Sequence, residues 1–129
     1  MLNPSRTVEI FQKQPEPETF AAGDIIFENG KPGEVMYGII EGTVELHIEG
    51  HPVETIEKGD VFGEGALLYP NGRRASTAIA KTDCTLAVMD RERFLFAIQT
   101  TPMFALEIMH SLSVRLRRFK HPEYPTGDA

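Results

Sequence analysis

The stretch from Asp60 to Ala80 reads DVFGEGALLYPNGRRASTAIA, and its order of residue types predicts a strand end, a glycine turn, a short helix and a second strand. The apolar run stops at Phe62, Gly63 turns the chain, and Gly65 to Tyr69 leaves room for one or two helical turns before Pro70. The first amides of such a turn have no partner inside the helix, so they favour a negative ligand. Small residues at Gly63, Gly65 and Ala66 let that ligand approach the backbone closely. Downstream, Arg74 precedes Ala75 and Ser76, and the alternating Thr77-Ala78-Ile79-Ala80 reads as a strand. The stretch predicts an anion cradle with a guanidinium held at a strand end.

Glu64 sits inside this cradle, and an ionised carboxylate only accepts hydrogen bonds. A ligand that satisfies both groups carries hydroxyls as well as a phosphate, and a ribose with a single phosphate does so. The plainer alternative is that Glu64 and an arginine form a structural ion pair. Arg73 competes with Arg74 for the anion-binding role.

Phe62-Gly63-Glu64-Gly65-Ala66 followed by Arg74-Ala75-Ser76 resembles the signature of the cyclic-nucleotide-binding domains of bacterial catabolite activator proteins, protein kinase A regulatory subunits and gated channels. That signature is Phe-Gly-Glu, an apolar and a small residue, a spacer, then Arg-Ala/Ser/Thr-Ala. The chain departs from it at Gly65 and Ser76, both small. The resemblance implies that Glu64 accepts the ribose 2'-hydroxyl, that Arg74 pairs with the cyclic phosphate, and that backbone amides near Gly65, Ala66 and Ala75 complete the cage. It also implies an apolar wall at Leu46 and Val53 and a lid from Phe119 and Lys120; the alternative for these apolar residues is ordinary core packing. Cyclic-GMP sites of the family often place threonine after the phosphate arginine, where this chain has Ala75. Cyclic AMP is therefore the expected ligand, with cyclic GMP second.

The resemblance covers about residues 18 to 120 and implies a mainly β fold: an eight-stranded β-roll of jelly-roll type followed by two C-terminal helices. Glycine-punctuated short strands fit such a roll: apolar chain from Phe20 to Phe27, extended chain from Val35 to Leu46, a hairpin at 47–52, Val53 to Ile56, and Leu86 to Met89. From Arg91 the period becomes helical, with Asp90 as cap and a stop before Pro102. In the second helix Leu106, Met109, Leu112, Leu116 and Phe119 recur at spacings of three and four. That stripe faces the roll, a partner helix, or both, with packing on the core as the default. Arg115, Arg117, Arg118 and Lys120 are accounted for by the helix dipole. The chain divides into a segment 1–17 with a short helix, a roll over 18–90 holding the cassette 62–76, helices over 91–121 and a flexible tail over 122–129.

The length of 129 residues and 41% apolar content suit one globular domain with its own core. Cys84 is the one cysteine, so no internal disulfide forms, and it is expected at a buried strand end. The net charge of −6 argues against nucleic-acid binding, and the residues after the last helix are too few for a helix-turn-helix. No run of some eighteen apolar residues and no signal peptide is visible, so a cytoplasmic protein without a membrane partner is expected. His47, His51, His110 and His121 lack the spacing of a cupin metal site, and no serine or cysteine has a nucleophile's setting. The expected protein is no enzyme and carries no cofactor. It is a stand-alone regulatory sensor that acts through an effector protein or a homodimer formed by the C-terminal helix. The alternative is a family fold kept as a scaffolding or dimerisation module that binds no ligand.

Overall fold

The computed structural model describes residues 3–13, 16–69 and 71–120; the expected tail over 122–129 and His121 lie outside them. Helix α1 (Pro4–Phe11) precedes β1 (Glu18–Phe20), β2 (Ile25–Phe27), β3 (Val35–Glu41), β4 (Val44–Ile48), β5 (His51–Ile56) and β6 (Val61–Phe62). Then come α2 (Gly65–Leu68), β7 (Thr77–Ala80), β8 (Cys84–Asp90), α3 (Arg91–Thr100) and α4 (Met103–Lys120).

The eight strands form two four-stranded antiparallel sheets, ordered β1-β8-β3-β6 and β2-β7-β4-β5. This is the expected roll. The central strands of the first sheet, β3 and β8, are buried on both faces because each alternates between two cores. On β3, Tyr37 and Ile39 point between the sheets with Phe62, Leu46, Ile56 and Leu86, while Met36 joins Val61, Ala87 and Met89 on the outer face. That outer face is covered by Val8 of α1, Ala97 of α3, and Phe104 and Ile108 of α4. Gly38 permits the close seat of α1, since a Cβ there would stand 2.9 Å from the Ser5 Cα.

Asp90 caps α3 as its position suggests, accepting the Arg93 amide at 2.8 Å. Cys84 opens β8, buried, its thiol donating to the Thr43 and Thr82 carbonyls; burial pushes its pKa up.

The stripe on α4 is a correction to the expected core packing. Leu106, Met109, Leu112, Leu116 and Phe119 are between 37% and 58% exposed, whereas Phe104, Ile108, Ser111, Val114 and Arg115 are buried. The helix carries apolar residues on two faces, and the roll takes the one interrupted by Ser111 and Arg115. Each of those polar residues has a partner on the roll: the Ser111 hydroxyl donates to Asp60, and Arg115 reaches Glu54. Periodicity favoured the uninterrupted stripe, but the partners of the polar residues decide the seating.

Removing a fully buried aromatic ring from a packed core costs about 3–5 kcal/mol. Phe104→Ala is therefore expected to lower the unfolding free energy by that amount in a denaturant titration. Leu106→Ala, on the exposed face, is expected to change it by under about 0.5 kcal/mol in dilute protein.

Candidate functional site

β6 ends at Phe62 and the chain leaves it through Gly63 at φ +79, a left-handed conformation that favours glycine. A side chain at Gly63 would also stand 2.9 Å from the Arg74 Nη1. The turn places Glu64 just before α2, and the Ala66 amide donates to the Gly63 carbonyl at 3.3 Å. The strand β7 begins just beyond Arg74 and Ser76, and the Arg74 backbone is fixed on both sides: its amide donates to the Lys31 carbonyl at 2.9 Å, and its carbonyl accepts the Gly30 amide at 2.8 Å.

Arg74 is only 7% exposed. Its Nη1 donates to the Gly63 carbonyl at 3.0 Å and its Nη2 to the Val35 carbonyl at 2.8 Å. The guanidinium carbon lies 4.0 Å from the centre of the Phe27 ring, within cation–π range. Gly33 makes room for it, since a Cβ there would collide with the guanidinium. Burial pushes the Arg74 pKa down, with Tyr37 and Glu64 acting in the opposite direction; a guanidinium nonetheless stays charged in proteins. Arg74 is thus a buried cation held by carbonyl dipoles and a ring face.

The Glu64–Arg74 ion pair is not formed. Among the described residues Glu64 enters no salt bridge, and Glu64 Oε1 and Arg74 Nε are both buried without a hydrogen-bond partner. Buried polar atoms are nearly always satisfied. These two orphaned atoms, of opposite character, belong to residues that line one cavity.

That cavity has a volume of about 240 Å³ and is lined by Gly63, Glu64, Gly65, Ala66, Arg74, Ala75 and Ser76 of the cassette, with Phe27, Leu46, Glu54, Tyr69, Arg73 and Arg115. Arg73 is exposed at its edge, with Nη1 donating to the Gly30 carbonyl at 2.8 Å. The buried position belongs to Arg74. A neighbouring cavity of about 340 Å³ is lined by Pro52, Val53, Glu54, Thr55, Arg115, Arg118 and Phe119.

Four expected site residues stand elsewhere. Phe62 is fully buried between the sheets, its ring stacked on Tyr37 at 5.2 Å, and supports the cassette without lining the cavity. Val53 and Phe119 line the neighbouring cavity and not that of the cassette. On β5 the inward position opposite Leu46 belongs to Glu54, so Val53 points to the other side; a bulge between Leu46 and His47 shifts the register. Lys120 is exposed and lines neither cavity.

Sequence reasoning missed Glu54 and Arg115. Arg115 Nε donates to Glu54 Oε2 at 2.5 Å, Nη2 to Oε1 at 3.3 Å, and Nη1 to the Val61 carbonyl at 2.8 Å. Burial opposes the Arg115 charge, but the Glu54 hydrogen bonds and the Glu54, Glu64 and Asp60 carboxylates outweigh it and raise the pKa. Arg115 is a structural cation at the site wall, not only a complement to the helix dipole. The signal in the sequence was its place at the spacing of Phe104, Ile108 and Ser111.

A family model described as the cyclic nucleotide-binding domain matches residues 17–101, and the chain belongs to that family. It is 39% identical over 79 residues to the cAMP-dependent protein kinase regulatory subunit of Eremothecium gossypii, a match spanning 61% of this chain and 17% of that protein. The corresponding subunit of Debaryomyces hansenii is 40% identical over 77 residues, spanning 58% of this chain and 17% of the relative. The chain thus matches only a small part of these curated relatives. Among solved structures, the catabolite activator protein of Thermus thermophilus has a TM-score of 0.72 and 27% identity, over 91% of this chain and 55% of that one. Domains of this family are regulatory rather than catalytic. Among the described residues no helix is long and apolar enough to cross a membrane.

Arg115→Ala would leave the Glu54 carboxylate buried and uncompensated, at a cost of about 3–5 kcal/mol, whereas replacing a whole buried pair by apolar residues is often neutral. Denaturant titration is therefore expected to show a large loss for Arg115→Ala and nearly wild-type stability for Glu54→Leu/Arg115→Leu.

Proposed function

We propose that the chain is a cyclic-AMP sensor domain, in which Arg74 meets the cyclic phosphate and Glu64 accepts the ribose 2'-hydroxyl. The observation that supports this most is the pair of orphaned buried atoms, Glu64 Oε1 and Arg74 Nε, on the wall of one cavity. A structural pair would have satisfied itself; these groups do not meet. Backbone around Gly65, Ala66, Ala75 and Ser76 surrounds the phosphate. The base lies toward the neighbouring cavity, against Val53 and beneath Phe119, whose exposed ring is free to fold over it. Ala75 offers no hydroxyl to a guanine amino group, which favours cyclic AMP over cyclic GMP. The chain carries neither catalysis nor DNA binding of its own and works in the cytoplasm as a regulatory piece.

The signal passes through α4. Its exposed Leu106, Met109, Leu112 and Leu116 form an apolar face of the kind that marks an interaction surface, taken by an effector or by the same helix of a second copy. The scaffold reading, a fold that binds no ligand, gains nothing from the unpaired Glu64 and Arg74.

Calorimetric titration with cyclic AMP, cyclic GMP and 5'-AMP tests the proposal, with cyclic AMP expected to bind tightest. Arg74→Ala is expected to cost about 2–5 kcal/mol, roughly thirtyfold to several thousandfold in Kd, and Arg73→Ala much less. Absence of binding to any of the three supports the scaffold reading. For α4, sedimentation over a range of concentrations is expected to show a dimer that Leu112→Glu dissociates; a monomer throughout leaves the face to an effector.

A further inference from the structure

Within the roll, β5 sets an anomaly. Glu54 and Ile56 share its inward face, and Glu54 stands directly opposite Leu46, where an apolar residue is the ordinary choice. A carboxylate there is tolerated because Arg115 arrives from α4 and binds both of its oxygens. Stability alone does not account for the arrangement, since an apolar pair of similar volume serves the fold as well or better. The pair also occupies a particular place: Glu54 and Arg115 are the two residues common to the cassette cavity and its neighbour.

Sites for small organic ligands run from roughly 300 to 1,000 Å³. The cassette cavity, at about 240 Å³, falls below that range and the neighbouring one, at about 340 Å³, barely enters it. A nucleotide whose phosphate sits on Arg74 and whose base lies toward Phe119 must pass the wall they share. Resting on the proposed cyclic-nucleotide reading, we infer that Glu54 is a specificity-determining residue that accepts a hydrogen bond from the 6-amino group of an adenine base. A carboxylate has about four lone-pair sites, and Arg115 uses two. Arg115 is the positioning residue, since its bonds to Glu54 and to the Val61 carbonyl fix the carboxylate against the roll.

The test compares cyclic AMP with purine-riboside 3',5'-cyclic monophosphate, which differs only in lacking the 6-amino group, by calorimetry on the whole chain. The wild type is expected to bind the deamino ligand about tenfold or more weaker, the effect of one hydrogen bond to a charged group. In Glu54→Leu/Arg115→Leu the two ligands are expected to bind alike, and in Glu54→Gln the gap is expected to narrow. Equal binding of both ligands by the wild type overturns the inference whatever the variants do. A gap that persists unchanged in the double variant also overturns it, while leaving the nucleotide site standing. A wild type that binds neither ligand overturns the cyclic-nucleotide reading, and this inference with it.

Discussion

The site depends on how one buried cation is held. Arg74 is removed from water without a carboxylate partner among the described residues, and its charge is met by two carbonyl dipoles and the face of Phe27. This explains the glycines around it: Gly33 and Gly63 leave the volume the guanidinium fills, and Gly63 also takes the left-handed turn. Under the proposed reading this guanidinium is preorganised for an anion, which reduces what binding costs. The carbonyls hold the geometry without cancelling the charge, as a structural ion pair would.

The second constraint ties α4 to the roll. The buried face of the helix is not purely apolar; Ser111 and Arg115 meet Asp60 and Glu54 just before and within the strands that lead into the cassette. Polar contacts of this kind fix the rotation of a helix more narrowly than leucine packing does, since a slip of one position would strand a buried charge. The consequence is that the longer apolar stripe faces outward. The cassette cavity on one side of Arg115 and an exposed apolar helix face on the other thus lie along one element.

Much of this was legible in the sequence, and the reasons are local. Gly63, the small residues after Glu64, the Asp90 cap and the alternation of Thr77 to Ala80 act over a few residues, so their consequences can be read without knowing the fold. Glu54 and Arg115 could not be read that way: they lie 61 residues apart, and neither has a local reason to be buried. The bulge that gives Glu54 rather than Val53 the inward position is likewise set by pairing with β4. Phe62 belonged to the signature yet serves the core, because its pairing opposite Tyr37 on β3 aims it between the sheets while Val61 faces the helices.

The central claim is that Glu64 is left unpaired in order to take a ribose hydroxyl beside a phosphate on Arg74. It is tested most directly by measuring the affinities of cyclic AMP and its 2'-deoxy analogue for the wild type and for Glu64→Gln. The account predicts a strong coupling: removing the hydroxyl weakens binding to the wild type by about tenfold or more, and costs little further in the variant. Equal losses in the two proteins would mean that Glu64 does not meet the ribose, and would contradict the account.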